Sequence, residues 1–155
     1  MKYILVFDLD DCIIMHNGPF VGYSGIKENI HLSYYLNKIS YDKYIYTNGT
    51  YSHADEVLRK MKLSRNFKMI YSRDTVSRMK PDMSAGIDVQ NHIRYLSRQA
   101  GTQLVFFEDN LENLKTAKEL GWKTVWIHPK FRMGQIYSYV DESYPDLISA
   151  LRVIN

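Results

Sequence analysis

Hydrophobic residues fall along this chain in short blocks separated by polar turns. Tyr3-Ile-Leu-Val-Phe7 is an unbroken apolar run stopped by Asp8, Asp10 and Asp11, which predicts a central parallel strand buried on both faces. The spacings Ile26/Ile30 and Leu32/Leu36/Ile39 predict a helix over 26–39, and Lys43–Tyr46 a second strand. A helix over Ser52–Met61 follows, with Ser52 as N-cap and Asp55 in the capping-box position, then a strand over Phe67–Tyr71. Pro81 is placed to open a third helix, whose apolar stripe is Val89, Ile93, Leu96 and Ala100. Leu104–Phe107 predicts a strand, and Asn110–Leu120 a helix turning Leu111, Leu114 and Ala117 inward. A fifth strand over Thr124–Ile127 and a short helix over Pro145–Val153 complete the pattern. Asn17-Gly18, between apolar stretches, predicts a hairpin flap within Cys12–Gly25. Strands alternating with helices give an α/β doubly wound, Rossmann-like parallel five-stranded sheet with a small flap. Ligands are expected at the carboxyl ends of its strands.

The chain has 155 residues, which fits one domain spanning 1–155. With 45% hydrophobic and 24% charged residues it reads as an ordinary globular chain, and disordered, collagen-like and coiled-coil classes are excluded. A net charge of +3 permits anionic ligands but falls short of a dedicated nucleic-acid binder. The one cysteine, Cys12, forms no internal disulfide and suits a reducing compartment, so the expected location is cytoplasmic. No apolar run reaches the length of a membrane span, and no membrane partner is expected.

Four polar clusters each follow a predicted strand: Asp8-Leu-Asp10-Asp-Cys12, Thr47-Asn48-Gly49, Lys80-Pro81, and Glu108-Asp109-Asn110-Leu-Glu-Asn113. Strand-end placement puts all four on one rim. Each alone is weak, because acids, threonines and lysines commonly cap and terminate strands; the ordered set is much stronger. It resembles the haloacid dehalogenase (HAD) superfamily of phosphohydrolases, whose pattern is a DxDx(T/V) box, a strand-end Thr or Ser, a distant Lys and an acidic pair. Phe106 to Gly121 with Thr124-Val125 looks like the closing segment of pyrimidine 5'-nucleotidase relatives.

The resemblance implies a phosphatase, a phosphoric monoester hydrolase. Asp8 would be the nucleophile that forms an aspartyl-phosphate and Asp10 the general acid and base, their side chains diverging because they are one residue apart on extended backbone. Mg²⁺ is the implied cofactor, held by Asp8, the Asp10 main-chain carbonyl and Asp109, with Glu108 acting through a metal-bound water. Thr47 with the N–H groups of Asn48 and Gly49 would bind phosphoryl oxygens, Lys80 would neutralise charge, and Asn113 would orient this shell. Cys12 stands where the family carries Thr or Val and reads as a small packed residue. Neither position at which the family inserts a cap has room for one, so the expectation is a capless member acting on a phosphorylated small molecule or macromolecule. Phe20 and Tyr23 of the flap are placed to touch a leaving group, and a second subunit is a further source of a lid.

Other readings keep part of the pattern. A phosphotransferase would use the same site. A receiver-like signalling domain also joins acids, a Thr and a Lys on a doubly wound sheet, but needs its phosphorylated Asp after the third strand. A non-catalytic phosphate-binding domain would keep the pocket alone. The basic residues Arg59, Lys60, Lys62, Arg65, Lys68, Arg73 and Arg78 read as a solvated face before they read as a nucleic-acid strip, and the 13 tyrosines as half-buried filling before base-stacking platforms. His128 and Lys130 read as loop residues.

Overall fold

The computed structural model describes residues 2–98 and 101–154. Its centre is one parallel sheet of six strands in the order β3-β2-β1-β4-β5-β6: β1 Tyr3–Phe7, β2 Asp42–Tyr46, β3 Ile70–Tyr71, β4 Gln103–Glu108, β5 Lys123–Ile127 and β6 Glu142–Tyr144. The strand β1 pairs with β2 on one side and β4 on the other, in register from Tyr3↔Gln103 to Phe7↔Phe107. The strand order therefore reverses between β1 and β4, and the crevice beyond their carboxyl ends is where a doubly wound sheet binds ligands.

Alternation along β1 divides the core. Leu5 and Phe7 pack with Ile45, Leu32 and Leu36 of α1 (Ile30–Lys38), Ala54, Val57 and Leu58 of α2 (Tyr51–Lys60), and Leu147 and Leu151 of α5 (Leu147–Leu151). Ile4 and Val6 face the other way, with Tyr44, Tyr46, Val89 and Ile93 of α3 (Met83–Ser97) and Leu114 and Ala117 of α4 (Leu111–Glu119). Both sheet faces are covered, as the continuous apolar run of β1 requires.

The differences from the sequence reading are local. The sixth strand, Glu142-Ser-Tyr144, carries no apolar run and is half-buried throughout, so pattern alone gives it no signal. The first helix starts at Ile30 because Asn29 caps it, its side chain accepting from the Leu32 N–H at 3.0 Å; Ile26 lies in the preceding loop. Thr50, not Ser52, caps α2, and Asp55 pairs with Arg59 instead of closing a capping box. Asp82, not Pro81, sets the start of α3. Leu96 of its stripe is exposed, and Ala100 lies outside the described residues. The Asn17-Gly18 hairpin does not form. Leu9 O collects the N–H groups of Cys12, Ile13 and Ile14 in one tight turn, with Asp11 left-handed at φ 59°, a conformation Asp tolerates better than most residues. The chain then continues as an irregular loop to Asn29. Among the described residues, no helix is long and apolar enough to cross a membrane.

Candidate active site

Asp8 follows β1, Thr47 follows β2, Lys80 lies on the loop between β3 and α3, Glu108 ends β4 and Asp109 follows it. The structure thus brings the four predicted clusters together at the switch point. Lys80 is their hub. Its buried Nζ donates to Asp8 Oδ1 at 2.8 Å, Glu108 Oε2 at 2.7 Å and Tyr46 O at 2.9 Å, and lies over the Tyr46 and Phe106 rings. Its backbone is clipped by the Asn48 amide, which accepts from Lys80 N at 2.8 Å and donates to Lys80 O at 3.0 Å. The Asn48 side chain is therefore spent on holding the lysine loop.

Glu108 is almost fully enclosed. Beyond Lys80, its oxygens accept from Asp109 N (3.0 Å), Asn110 N (3.1 Å) and Asn113 Nδ2 (3.1 Å). Burial alone would raise its carboxyl pKa; the Lys80 ammonium and these hydrogen bonds outweigh that and hold it below the ordinary value. Asp8 and Asp109 go the other way. Burial, then the Glu108 charge, lifts Asp8 to about 7 against the pull of Lys80. Burial, then the Glu108 and Asp8 carboxylates, lifts Asp109 to about 10. Carboxylate oxygens of Asp8, Glu108 and Asp109 lie within 4.8 Å of one another. Three acids crowded around one ammonium keep protons on Asp8 and Asp109 that a cation would replace, and an all-oxygen donor set of this kind suits a hard divalent cation.

Thr47 is buried, and its Oγ1 accepts from the Gly49 N–H at 3.0 Å, which leaves the hydroxyl proton to point elsewhere. Gly49 approaches the site closely: a Cβ there would stand 3.1 Å from the His53 ring, 3.4 Å from Thr47 Oγ1 and 3.8 Å from Asp10 Oδ2. Asp10 faces an open cleft of about 430 Å³ shared with Asp11, His16, Gly18, Phe20, Gly49, Thr50, His53 and Arg73.

His16, His53 and Arg73 were not among the sequence candidates for the site. His53 carried a usable signal, because a polar residue in the first turn of a helix that follows a strand end faces the rim. His16 carried none, since it reaches Asp10 only through the left-handed turn at Asp11. Arg73 was read within the basic segment, which the structure breaks up: Arg59 pairs with Asp55 and Glu56, Lys62 with Glu28, Lys68 with Asp42 and Arg78 with Asp82, whereas Arg73 donates to Asn48 O at 2.9 Å and lines the cleft. His128 stacks on Trp126, whose Nε1 donates to Asp109 O at 2.8 Å.

The family profile of haloacid dehalogenase-like hydrolases matches residues 14–127, well over half of the sequence. The chain belongs to that family. As a HAD-family hydrolase it has structural neighbours with both halide and phosphate chemistry in their names. An L-2-haloacid dehalogenase from Xanthobacter autotrophicus, solved with chloropropionic acid covalently bound, superposes with TM-score 0.63 at 14% identity, covering 85% of this chain and 62% of that one. A predicted phosphoglycolate phosphatase from Haemophilus somnus gives 0.65 at 14% identity, over 81% and 56%. A putative HAD-hydrolase from Bacillus subtilis bound to magnesium gives 0.61 at 20% identity, over 80% and 52%. At these identities the likeness is one of fold, and this HAD chain spans 52% to 62% of the length of those proteins. No curated protein matches it. The profile match begins after Asp8 and Asp10 and so does not include them. Among the described residues, the stretch between Cys12 and Thr47 holds the loop, α1 and β2, and that between Lys80 and Glu108 holds α3 and β4, with no inserted cap in either.

Proposed function

We propose that this hydrolase cleaves phosphomonoesters through an aspartyl-phosphate on Asp8. The observation that carries the reading is the pairing of Asp8 with the Lys80 ammonium at 2.8 Å inside a crowded acid cluster, with a second carboxylate, Asp10, set apart on the open side. Asp8 Oδ attacks phosphorus, the ester P–O bond breaks, and a proton from Asp10 passes to the departing oxygen to give the alcohol. Water then attacks the phosphoryl group on Asp8, gives its proton to Asp10, and phosphate leaves as Asp8 is restored. Thr47 donates its hydroxyl to a phosphoryl oxygen, and Lys80 holds the nucleophile while offsetting the charge that gathers there. Asp8, Asp109 and the Asp10 carbonyl would hold Mg²⁺, with Glu108 reaching it through water. When bound, the ion neutralises the acids and polarises the phosphoryl oxygens. Expelling a halide from carbon needs neither a proton donor nor a cation for a dianionic group, so this donor set favours phosphate over a haloacid.

The site opens directly to solvent beside Asp10, with Phe20 on its wall and no inserted cap above it. A phosphate on a large molecule, a nucleic-acid end included, is therefore accommodated as readily as a small one unless a second subunit supplies a lid. The test is a Mg²⁺-dependent screen over nucleotides, sugar phosphates, phosphopeptides and phosphorylated oligonucleotides, with acid quenching to trap labelled Asp8. Hydrolysis with label on Asp8, lost on chelation, is expected. Turnover that persists in Asp8→Asn would overturn the reading, and transfer of label to an added alcohol in preference to water would make the chain a phosphotransferase.

A further inference from the structure

The side chain of Asp10 is held by two imidazoles that the reaction scheme above does not use. His16 Nε2 lies 2.7 Å from Asp10 Oδ1, and His53 Nε2 lies 3.0 Å from Oδ1 and 3.2 Å from Oδ2. A carboxylate only accepts, so both Nε2 atoms donate. The other ring nitrogen of His53, Nδ1, is hydrogen-bonded to the Tyr23 hydroxyl at 2.9 Å. The two histidines come from separate elements. The tight turn at Asp11 delivers His16, whose backbone N–H is tied to Asp11 Oδ1 at 3.0 Å. The first turn of α2 delivers His53, whose backbone N–H donates to the Thr50 cap at 3.2 Å. Phe20 closes the group, its ring 5.9 Å from that of His16, 5.3 Å from His53 and 5.0 Å from Tyr23.

These contacts distinguish the two oxygens of Asp10. Oδ1 receives the short bond from His16 and the shorter of the two from His53, which makes it the poorer site for a proton. Oδ2 carries the longer His53 contact alone and lies 3.8 Å from the point where a Cβ of Gly49 would stand, a point itself 3.4 Å from Thr47 Oγ1. A half-exposed aspartate would otherwise sample several rotamers, and proton transfer depends on alignment to a fraction of an ångström. We infer that His53 and His16 are positioning residues that lock the Asp10 carboxyl so that Oδ2 faces the leaving group. The loop and α2 thereby supply, from within this small fold, an alignment of the proton donor that no inserted domain provides. The inference rests on the phosphatase reading for its consequence, and on the imidazole contacts alone for its geometry.

The consequence is a dependence on the leaving group. An alkoxide needs the proton from Asp10, whereas 4-nitrophenolate departs without one. With Mg²⁺ present, His53→Ala and His16→Ala are expected to lower kcat for an alkyl phosphate such as 2-phosphoglycerol by about 10- to 100-fold, with KM nearly constant, while 4-nitrophenyl phosphate loses much less. His53→Gln, whose amide nitrogen stands in for Nε2, should recover most of the alkyl rate. Equal losses on both substrates, or a loss confined to KM, would overturn the inference. A second measurement does not need turnover: long-range ¹H–¹⁵N spectra of the histidine rings should show Nε2–H tautomers at positions 16 and 53 that change in Asp10→Ala. Identical ring spectra in wild type and Asp10→Ala would remove the clasp whatever the activity. Turnover surviving in Asp8→Asn with the ring spectra as expected would instead sink the aspartyl-phosphate reading and leave the clasp standing.

Discussion

The two sides of this site are built by different physics. On the side of Asp8, Lys80 and Glu108 every charged atom is buried and its partners are fixed by strands on both flanks. On the side of Asp10 the groups are half-exposed and come from a tight turn, a loop and a helix start, and the contacts are hydrogen bonds from imidazole rings and edge-to-face aromatic packing. Charge is concentrated where the dielectric is low and the fold is rigid, so it acts strongly there. The open side faces solvent, and it uses directional contacts, which depend on alignment more than on net charge.

The hardest test of that contrast is at Asp8. Asp8→Asn is expected to lower kcat by at least about 10⁴-fold, because the amide keeps the shape but loses the nucleophile. The same change removes one of three crowded acids, so the metal-free variant should unfold at a higher urea midpoint than wild type at neutral pH. A lower midpoint would mean that the Lys80 pairing outweighs the crowding, and that the buried side is not strained.

Lys80→Met comes next. Methionine fills much of the same space but leaves Asp8 and Glu108 buried without a counter-charge, which typically costs about 3–5 kcal/mol. Urea denaturation of the metal-free protein measures it, and added Mg²⁺ should return part of the loss. A change at His53 on the open side should leave the midpoint far closer to wild type. Comparable losses at the two positions would erase the distinction between the sides.

The pH dependence sharpens the comparison further. Folding raises the Asp8 carboxyl to about 7 and the Asp109 carboxyl to about 10, burial being the first cause for each. The folded state therefore keeps protons that the unfolded chain has already released, and stability from these two groups is present below about pH 4 and falls as pH rises towards 7 and then 10. Glu108 has the opposite sign, since its lowered value contributes stability that is lost in acid. Held as proposed, Mg²⁺ would replace the protons on Asp8 and Asp109, so its gain in Tm should be larger near pH 8 than near pH 5. Equal gains at both would show that these two acids do not hold the ion.

How much of this was legible beforehand follows the same division. The sequence shows the buried side because it is written in residue types at strand ends: apolar runs stopped by Asp8 and Glu108, with Lys80 and Thr47 in order between them. Elements with strong apolar periodicity, such as β1, β4 and α4, were placed to within a residue or two. The open side depended on backbone that no periodicity encodes. A left-handed Asp11 replaced the expected hairpin and carried His16 to Asp10, and a cap at Thr50 instead of Ser52 set the turn of α2 that presents His53. The edge strand β6 was invisible for a related reason, because a half-buried Glu-Ser-Tyr has nothing to alternate.

The smallest expected effect lies where the two sides meet. Cys12 begins the turn that leads to the open side, yet its thiol is buried and donates to Phe107 O at 3.5 Å. Burial, then the charges of Asp8, Glu108 and Asp109, raises its pKa well above the ordinary thiol value, so it stays protonated and unreactive. Cys12→Ser keeps the size and offers a better donor to the same carbonyl. The net worth of such a bond, about 1 kcal/mol, is roughly offset by the cost of burying a hydroxyl, so stability should move by less than about 1 kcal/mol. Because the thiol faces Phe107 O and lies outside the cleft at Asp10, kcat/KM should stay within about threefold, far below the 10²–10⁴-fold typical of proton transfer. A thiol-specific disulfide reagent should label native wild type slowly and the urea-unfolded chain at once. Rapid labelling of the native protein, or a loss in Cys12→Ser comparable to that in His53→Ala, would place Cys12 among the working groups of the site and move the boundary between its two sides.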